Sequence, residues 1–296
     1  MSAMAEGPLD RIREIDWRPD EGQRAAALAA LERGEVLALP RHGFELQPDE
    51  RGLLDPRVSD GRSKNVSFDP KTGRLGGTAV AGAEREALTR MMARFARWSR
   101  GLVAALAPEA AGALQVAKTS FRPCAIEGRA ISPRKDDRRL HVDAFPSQPV
   151  QGRRILRVFA NVDPEGRPRV WHVGEPFESF ADHFLPRAKP AARGSGMLMQ
   201  RLGLTKGRRT AYDQLMLELH DRAKEDEAWQ ASAPRQQAGF PANSSWIVFT
   251  DATLHAALEG QHALEQTFLM PVKAMVQPAL SPLKVLERMT GRSLLP

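Results

Sequence analysis

The feature that most constrains the fold is a run of short apolar segments in the second half of the chain. Before about residue 115 the pattern is helical, with amphipathic helices predicted over 20–35 and 84–106. After it come five segments that are typical of β-strands: LHVDAF, RRILRVFANV, RVWHVG, SSWIVFT and EQTFLMPV. Helices followed by strands predict an α+β fold. In it a layer of helices packs on a double-stranded β-helix, a jelly roll of the cupin kind.

The length of 296 residues allows one large domain with a sizeable core. We expect a single domain over 1–296, with a helical part at about 1–110 and a jelly-roll core at about 115–275. A further helix is predicted within the core at 209–226, and another near the C-terminus at 281–292. The single cysteine, Cys124, excludes an internal disulfide and favours a reducing compartment. Since the N-terminus has no apolar signal sequence, we expect a cytoplasmic protein.

The net charge of +7 favours an anionic partner. The basic residues are mainly arginines scattered in pairs, without the motifs typical of zinc fingers or RNA-binding domains. We therefore expect no nucleic-acid partner. Planar guanidinium groups are instead suited to individual carboxylates or phosphates.

A histidine and an aspartate lie two apart in the predicted strand LHVDAF. Because side chains at i and i+2 of a strand share a face, His141 and Asp143 are predicted to point the same way. His255, just beyond the predicted strand SSWIVFT, is the candidate third ligand. Two histidines and one carboxylate form the facial triad of non-haem Fe(II) oxygenases.

Two alternatives remain open for these residues. The H-x-D spacing is short enough to occur by chance, so the sequence is also compatible with a surface histidine at His141 and a turn histidine at His255. His262 is a second candidate for the distal ligand. The strand context on both sides favours the metal site.

Irons of this kind usually bind 2-oxoglutarate, whose far carboxylate needs a basic partner. On the strand after His255, where an arginine is common, the sequence has Gln266. The strand RILRVFANV places Arg157 on a mixed face, opposite the apolar face of Leu156 and Val158. Arg157 is therefore the candidate ligand for 2-oxoglutarate, and Gln266 is expected to assist it. Arg154 is the second choice. The alternative for Arg157 is a salt bridge on an exposed strand face.

The segment RLHVDAFPSQPVQGRRILRVFANVDPEGRPRVWHVGEPF, residues 139–177, closely resembles the 3-deoxy-D-manno-oct-2-ulosonic acid (Kdo) 3-hydroxylases of Gram-negative bacteria. DGRSKNVSFDP and DATLHAALEGQHALEQTF are similar to the same family. The resemblance implies an Fe(II)- and 2-oxoglutarate-dependent dioxygenase, helped by ascorbate. It would hydroxylate carbon 3 of the outer Kdo of Kdo2-lipid A, giving Ko in lipopolysaccharide, and its metal ligands would be His141, Asp143 and His255.

The implied substrate carries sugar carboxylates, phosphates and acyl chains. Arg122, Arg139 and Lys64 are the candidate substrate-binding residues. Arg122 and Arg139 belong to a basic stretch that also contains Arg129 and Arg134, and Lys64 lies in the DGRSKNV loop. The family acts at the cytoplasmic face of the inner membrane, so we expect peripheral contact with that surface. The helix at 84–106 and the C-terminal segment are its candidate contact elements.

Two other functions are compatible with the residues. A 2-oxoglutarate oxygenase for another anionic sugar, lipid or amino acid would keep the triad and change only the pocket. A non-catalytic jelly roll that binds acidic glycans or nucleic acid would make the three ligands incidental.

Overall fold

A large sheet of eight strands forms one wall of the molecule. The computed structural model describes residues 9–125, 132–189 and 195–296. The order in the large sheet is β1-β2-β9-β6-β11-β5-β3-β4, and every neighbouring pair is antiparallel except β1 with β2. Its strands are β1 (Ile12–Glu14), β2 (Val36–Leu39), β3 (Val66–Phe68), β4 (Leu75–Gly76), β5 (Gln115–Arg122), β6 (Arg154–Asn161), β9 (Ser245–Phe249) and β11 (Ala263–Met270).

A smaller antiparallel sheet lies opposite, in the order β10-β7-β8. It consists of β7 (Arg169–Gly174), β8 (Arg235–Phe240) and β10 (His255–Glu259). An isolated bridge between His141 and His255 adds the segment around residue 141 to its edge. The two sheets form the predicted jelly roll, and the α+β class is confirmed.

Two helices of the N-terminal half cover the outer face of the large sheet. They are α1 (Glu21–Glu32) and α2 (Gly82–Leu106), followed by the short α3 (Pro108–Ala111). The predicted Asp20 cap of α1 accepts a hydrogen bond from the Gln23 amide at 2.8 Å, and Gly34 ends the turn with a φ of 83°. The buried face of α2, which includes Met91 and Phe95, belongs to the core under the sheet. This helix therefore packs on the protein, and its apolar face is not free for a membrane.

The remaining helices lie around the small sheet and the end of the barrel. They are α4 (Phe177–Phe184), α5 (Ser195–Arg201), α6 (Ala211–Glu225), α7 (Glu227–Ser232) and α8 (Pro282–Thr290). The sequence predicted α6 and α8 but not α4, α5, α7 or strand β8. Leu283, Val285 and Leu286 of α8 are buried in the main core, so the apolar face of this C-terminal helix is also occupied. None of the helices in the described ranges is long and apolar enough to cross a bilayer.

The space between the sheets is apolar at one end and charged at the other. Phe159, Trp171 and Trp246 pack together in the apolar part, with the rings of Phe159 and Trp246 stacked at 5.2 Å. Leu156 and Val158 of β6 belong instead to the core under the helices. The predicted alternation of β6 is thus observed, and it turns Arg157 toward the interior.

Candidate metal centre

Three side chains that are far apart in sequence converge at the edge of the small sheet. The His141 amide donates to the His255 carbonyl at 3.1 Å, and the His255 amide donates back at 2.9 Å. The Asp143 amide donates to the Thr250 carbonyl at 2.7 Å. LHVDAF is therefore not the regular strand that the sequence predicted, but these bonds fix it as an extended segment. The ligand atoms of His141, Asp143 and His255 all lie within 4.8 Å of one another.

The second nitrogen of each imidazole is held by a backbone carbonyl. His141 Nδ1 lies 2.7 Å from the Arg139 carbonyl, and His255 Nδ1 lies 2.9 Å from the Thr253 carbonyl. A carbonyl only accepts, so each Nδ1 carries the proton and each Nε2 keeps its lone pair for a metal. This is the outer support usually found around metal-binding histidines.

The protonation states of the three side chains also suit a metal. Burial lowers the pKa of His141 well below its ordinary value, and the neighbouring His255 and Lys224 lower it further. Burial lowers the pKa of His255 as well. For Asp143, burial would raise the pKa, but the nearby positive charge, foremost the Arg157 guanidinium, outweighs it and lowers the pKa. Two neutral imidazoles and one carboxylate are therefore present at neutral pH.

The donor set fits a ferrous ion. Asp143 Oδ1 lies 4.0 Å from His141 Nε2, while Oδ2 lies 3.0 Å from Arg157 Nη2, so the carboxylate presents one oxygen toward the imidazoles. Two nitrogen donors and one oxygen donor on one side of a metal leave its other positions open for substrates. His262, the second candidate for the distal ligand, is not part of this group.

A row of alternating charges crosses the barrel interior beside the triad. Arg157 Nη2 lies 3.0 Å from Asp143 Oδ2, without hydrogen-bonding geometry, and its Nη1 donates to Glu265 Oε1 at 2.8 Å. Arg122 Nη2 donates to the other Glu265 oxygen at 3.0 Å. Arg157 Nε is a buried donor without a partner in the described chain. The guanidinium is thus held in place with one donor still available to an anion.

Three cations surround a second carboxylate next to the triad. Asp137 lies 2.7 Å from Lys64 Nζ, 3.1 Å from Arg122 Nη1 and 3.9 Å from Lys224 Nζ. The Asp137 carbonyl accepts a hydrogen bond from the Ala257 amide at 2.8 Å, which fixes the group two residues beyond His255. The predicted residues Lys64 and Arg122 are therefore brought together, and positive charge is in excess there.

Two other predicted residues lie elsewhere. The carboxyl of Glu265 faces the interior, so the adjacent Gln266 faces the helix layer, where it accepts from the Thr119 hydroxyl at 2.6 Å. These contacts give no support to its predicted role beside 2-oxoglutarate. Arg139 donates to the Lys224 carbonyl at 2.9 Å and pairs with Glu227, so its contacts fix helices α6 and α7 and give no support to a place beside the substrate. Arg129 lies outside the described residues, and Arg154, the second choice, is fully buried against Asp251 at 2.7 Å.

Helix α6 contributes two residues that the sequence analysis missed. The His220 ring packs edge-on against the His141 ring at 5.4 Å, and Lys224 lies one turn further along. Burial lowers the pKa of Lys224 from 10.5 to about 8. The spacing of four between these residues in a predicted helix puts them on one face, and this was the only signal in the sequence.

The jelly roll and its His-Asp-His group define a non-haem iron oxygenase of the 2-oxoglutarate-dependent class. The chain also matches the sequence profile of the 3-deoxy-D-manno-oct-2-ulosonic acid (Kdo) hydroxylases over residues 14–293. It therefore belongs to the Kdo hydroxylase family.

Solved structures agree with this assignment. The chain is similar to the Kdo hydroxylase KdoO, a non-haem Fe(II) α-ketoglutarate-dependent dioxygenase, in complex with cobalt(II), with 43% identity over 97% of this chain and 98% of that one and a TM-score of 0.93. KdoO with α-ketoglutarate and Fe(III), and apo KdoO, match with the same values. No protein of curated function matches the sequence. The predicted enzyme class, iron and 2-oxoglutarate are thus confirmed.

Proposed function

We propose that this chain hydroxylates carbon 3 of the outer Kdo sugar of Kdo2-lipid A and so forms Ko in lipopolysaccharide. One observation carries the proposal: the His141–Asp143–His255 group lies beside three cations, Lys64, Arg122 and Lys224, that gather around Asp137, in a chain of the Kdo hydroxylase family. An oxidising centre next to a cluster of cations suits an acidic sugar.

The triad would hold Fe(II) through His141 Nε2, His255 Nε2 and the Asp143 carboxylate. When bound, iron with 2-oxoglutarate supplies the oxidation of an unactivated C–H bond by dioxygen, with succinate and carbon dioxide as the other products. The protein binds and orients these groups. Arg157 is the proposed partner of a 2-oxoglutarate carboxylate, since its buried Nε is an unused donor beside the triad. Ascorbate would act as an external reductant.

The cations around Asp137 are the proposed binding group for the sugar. Lys64, Arg122 and Lys224 all lie near Asp137, and Arg122 also pairs with Glu265. Three cations thus share two carboxylates, and a substrate carboxylate or phosphate would supply a further anionic partner. Burial strengthens the contacts of Arg122 and Lys224 because water screens them poorly. A lipid-linked sugar also implies peripheral contact with the cytoplasmic face of the inner membrane.

Mass spectrometry of Kdo2-lipid A tests the proposal. After incubation with Fe(II), 2-oxoglutarate and ascorbate, the outer sugar is expected to gain one oxygen while succinate forms in equal amount. His141→Ala is expected to abolish both, and His262→Gln, which changes a buried histidine outside the triad, is expected to retain them. Succinate without an oxygenated sugar would point to another substrate. Full turnover by His141→Ala would refute the ligand assignment.

A further inference from the structure

An unusual surface lies where the chain leaves α5. Of the five large hydrophobic side chains that are exposed in the described parts of the chain, three fall within eight residues: Met197, Leu202 and Leu204, which are 43%, 63% and 62% exposed. Arg201, Lys206 and Arg208 are exposed among them. We call these six side chains the rim patch. Apolar side chains are rarely clustered on a surface without a binding role.

The stretch of sequence that contains this patch carries an excess of positive charge. Residues 183–212 contain seven basic side chains and no acidic one. The other 266 residues contain 36 basic and 36 acidic side chains, so this stretch accounts for the whole net charge of +7. Within the described ranges, no acidic group lies at salt-bridge distance from Arg201, Lys206 or Arg208.

Backbone contacts attach the rim patch to the segment that follows the metal ligand Asp143. The Lys206 amide donates to the Ser147 carbonyl at 2.9 Å, and Gln151 Nε2 donates to the Arg208 carbonyl at 3.1 Å. Gly196 packs so closely on Arg209 that a Cβ would lie 2.1 Å from its carbonyl oxygen. Residues 144–151, which carry these contacts, directly follow the metal ligand Asp143. The patch is therefore tied to the segment that follows Asp143, in which the Phe145 ring lies 5.6 Å from the Arg157 guanidinium.

We propose that the rim patch is the surface by which the protein docks on an anionic phospholipid bilayer. Leucine and methionine side chains would enter the interface while the basic side chains meet the headgroup phosphates, the usual pattern of peripheral binding. Helices α2 and α8, which the sequence analysis predicted for this contact, have their apolar faces buried in the core. The inference rests on the proposed function, because an acylated substrate lies in a membrane, but docking can be measured without turnover.

Vesicle co-sedimentation without substrate tests the docking. The probes are vesicles of phosphatidylethanolamine with phosphatidylglycerol at about 3:1, and vesicles of phosphatidylcholine alone. The wild-type protein is expected to bind the anionic vesicles and to dissociate as salt screens the charges. Leu202→Ser/Leu204→Ser is expected to weaken binding at least about 30-fold. Arg201→Gln/Lys206→Gln/Arg208→Gln is expected to weaken it about 100-fold.

Matched variants control for general loss of apolar surface or charge. Val276→Ser removes another exposed apolar side chain, which is 70% exposed, and Arg97→Gln/Arg100→Gln/Lys118→Gln removes three exposed cations on α2 and β5. Both are expected to bind vesicles within about twofold of wild type. All variants are expected to keep substrate-free conversion of 2-oxoglutarate to succinate, which shows that the fold and the metal site are intact.

Three results would overturn the docking proposal. One is equal binding of anionic and neutral vesicles, and another is undiminished binding by either rim-patch variant. The third is a wild-type dimer that Leu202→Ser/Leu204→Ser makes monomeric without any vesicle binding, which would make the patch a self-association surface. Vesicle binding that follows the prediction, together with no oxygen gain in Kdo2-lipid A, would refute the proposed substrate and leave the docking surface standing.

Discussion

Replacing Lys224 by methionine is expected to make the protein more stable and a poorer enzyme. The side chain is 2% exposed in α6, and burial together with Lys64 lowers its pKa, with Asp137 only partly opposing them. Since one pH unit corresponds to about 1.4 kcal/mol, a pKa lowered from 10.5 to about 8 means that the charged lysine costs roughly 3 kcal/mol in the folded state. Lys224→Met is therefore expected to raise the free energy of unfolding at pH 7 by about 2–3 kcal/mol.

The stability difference between Lys224→Met and wild type is expected to change with pH in one direction. Because the folded pKa of Lys224 is depressed, the unfolded chain binds more protons between about pH 8 and 10.5. The stability of the wild-type protein therefore rises with pH across that window. Below about pH 8 the cost of the buried, charged Lys224 is fully present. The advantage of Lys224→Met should accordingly shrink as the pH rises from about 8 toward 10.5.

Urea unfolding of the metal-free protein, with a chelator present, measures the difference in free energy of unfolding between Lys224→Met and wild type. The fluorescence of the buried Trp171 and Trp246 reports the unfolding. Lys118→Met, at an exposed position, is the control and should lie within about 0.5 kcal/mol of wild type. Loss of a cation from the sugar site should raise the KM for Kdo2-lipid A about 10- to 150-fold. A variant that is less stable than wild type at pH 7, with an unchanged KM, would refute the reasoning and leave Lys224 a structural residue.

Two further predictions concern the charge row and the base of α6. Arg157→Gln is expected to weaken 2-oxoglutarate binding about 10- to 150-fold in calorimetric titrations of Mn(II)-loaded protein, whereas Arg122→Gln should change it less than about threefold and should raise the KM for the sugar substrate instead. The reverse result would transfer the 2-oxoglutarate role to Arg122. Asp213 accepts hydrogen bonds from the Val150, Gln151 and Thr210 amides, each at 2.9 Å, so Asp213→Ala should destabilise the fold by about 2–4 kcal/mol in urea titrations. A loss under about 1 kcal/mol would mean that water replaces the carboxylate.

In the row of alternating charges, the local sequence pattern predicts which way the side chains of β6 face but not those of β11. In β6, apolar residues alternate with a mixed set, so the strand phase could be read from the sequence and Arg157 was expected in the interior. In β11 every residue is buried, because the strand lies between the helices and the small sheet. Glu265 and Gln266 are adjacent polar residues in such a strand, and a slip of one residue exchanges their faces. The sequence therefore could not decide which of the two meets Arg157.

The metal centre shows the same division at larger scale. The sequence by itself determined which residue types bind the metal, since H-x-D in an extended segment and a histidine after a later strand are local patterns. It also determined the class of enzyme, through the resemblance of residues 139–177 to a known family. Only the tertiary structure decided that backbone carbonyls fix both imidazoles, that α6 brings Lys224 to Asp137, and that three apolar side chains at the end of α5 stay exposed. Side-chain spacing within one element follows from backbone geometry. Contacts between elements depend on how whole faces pack, and no short stretch of sequence contains that information.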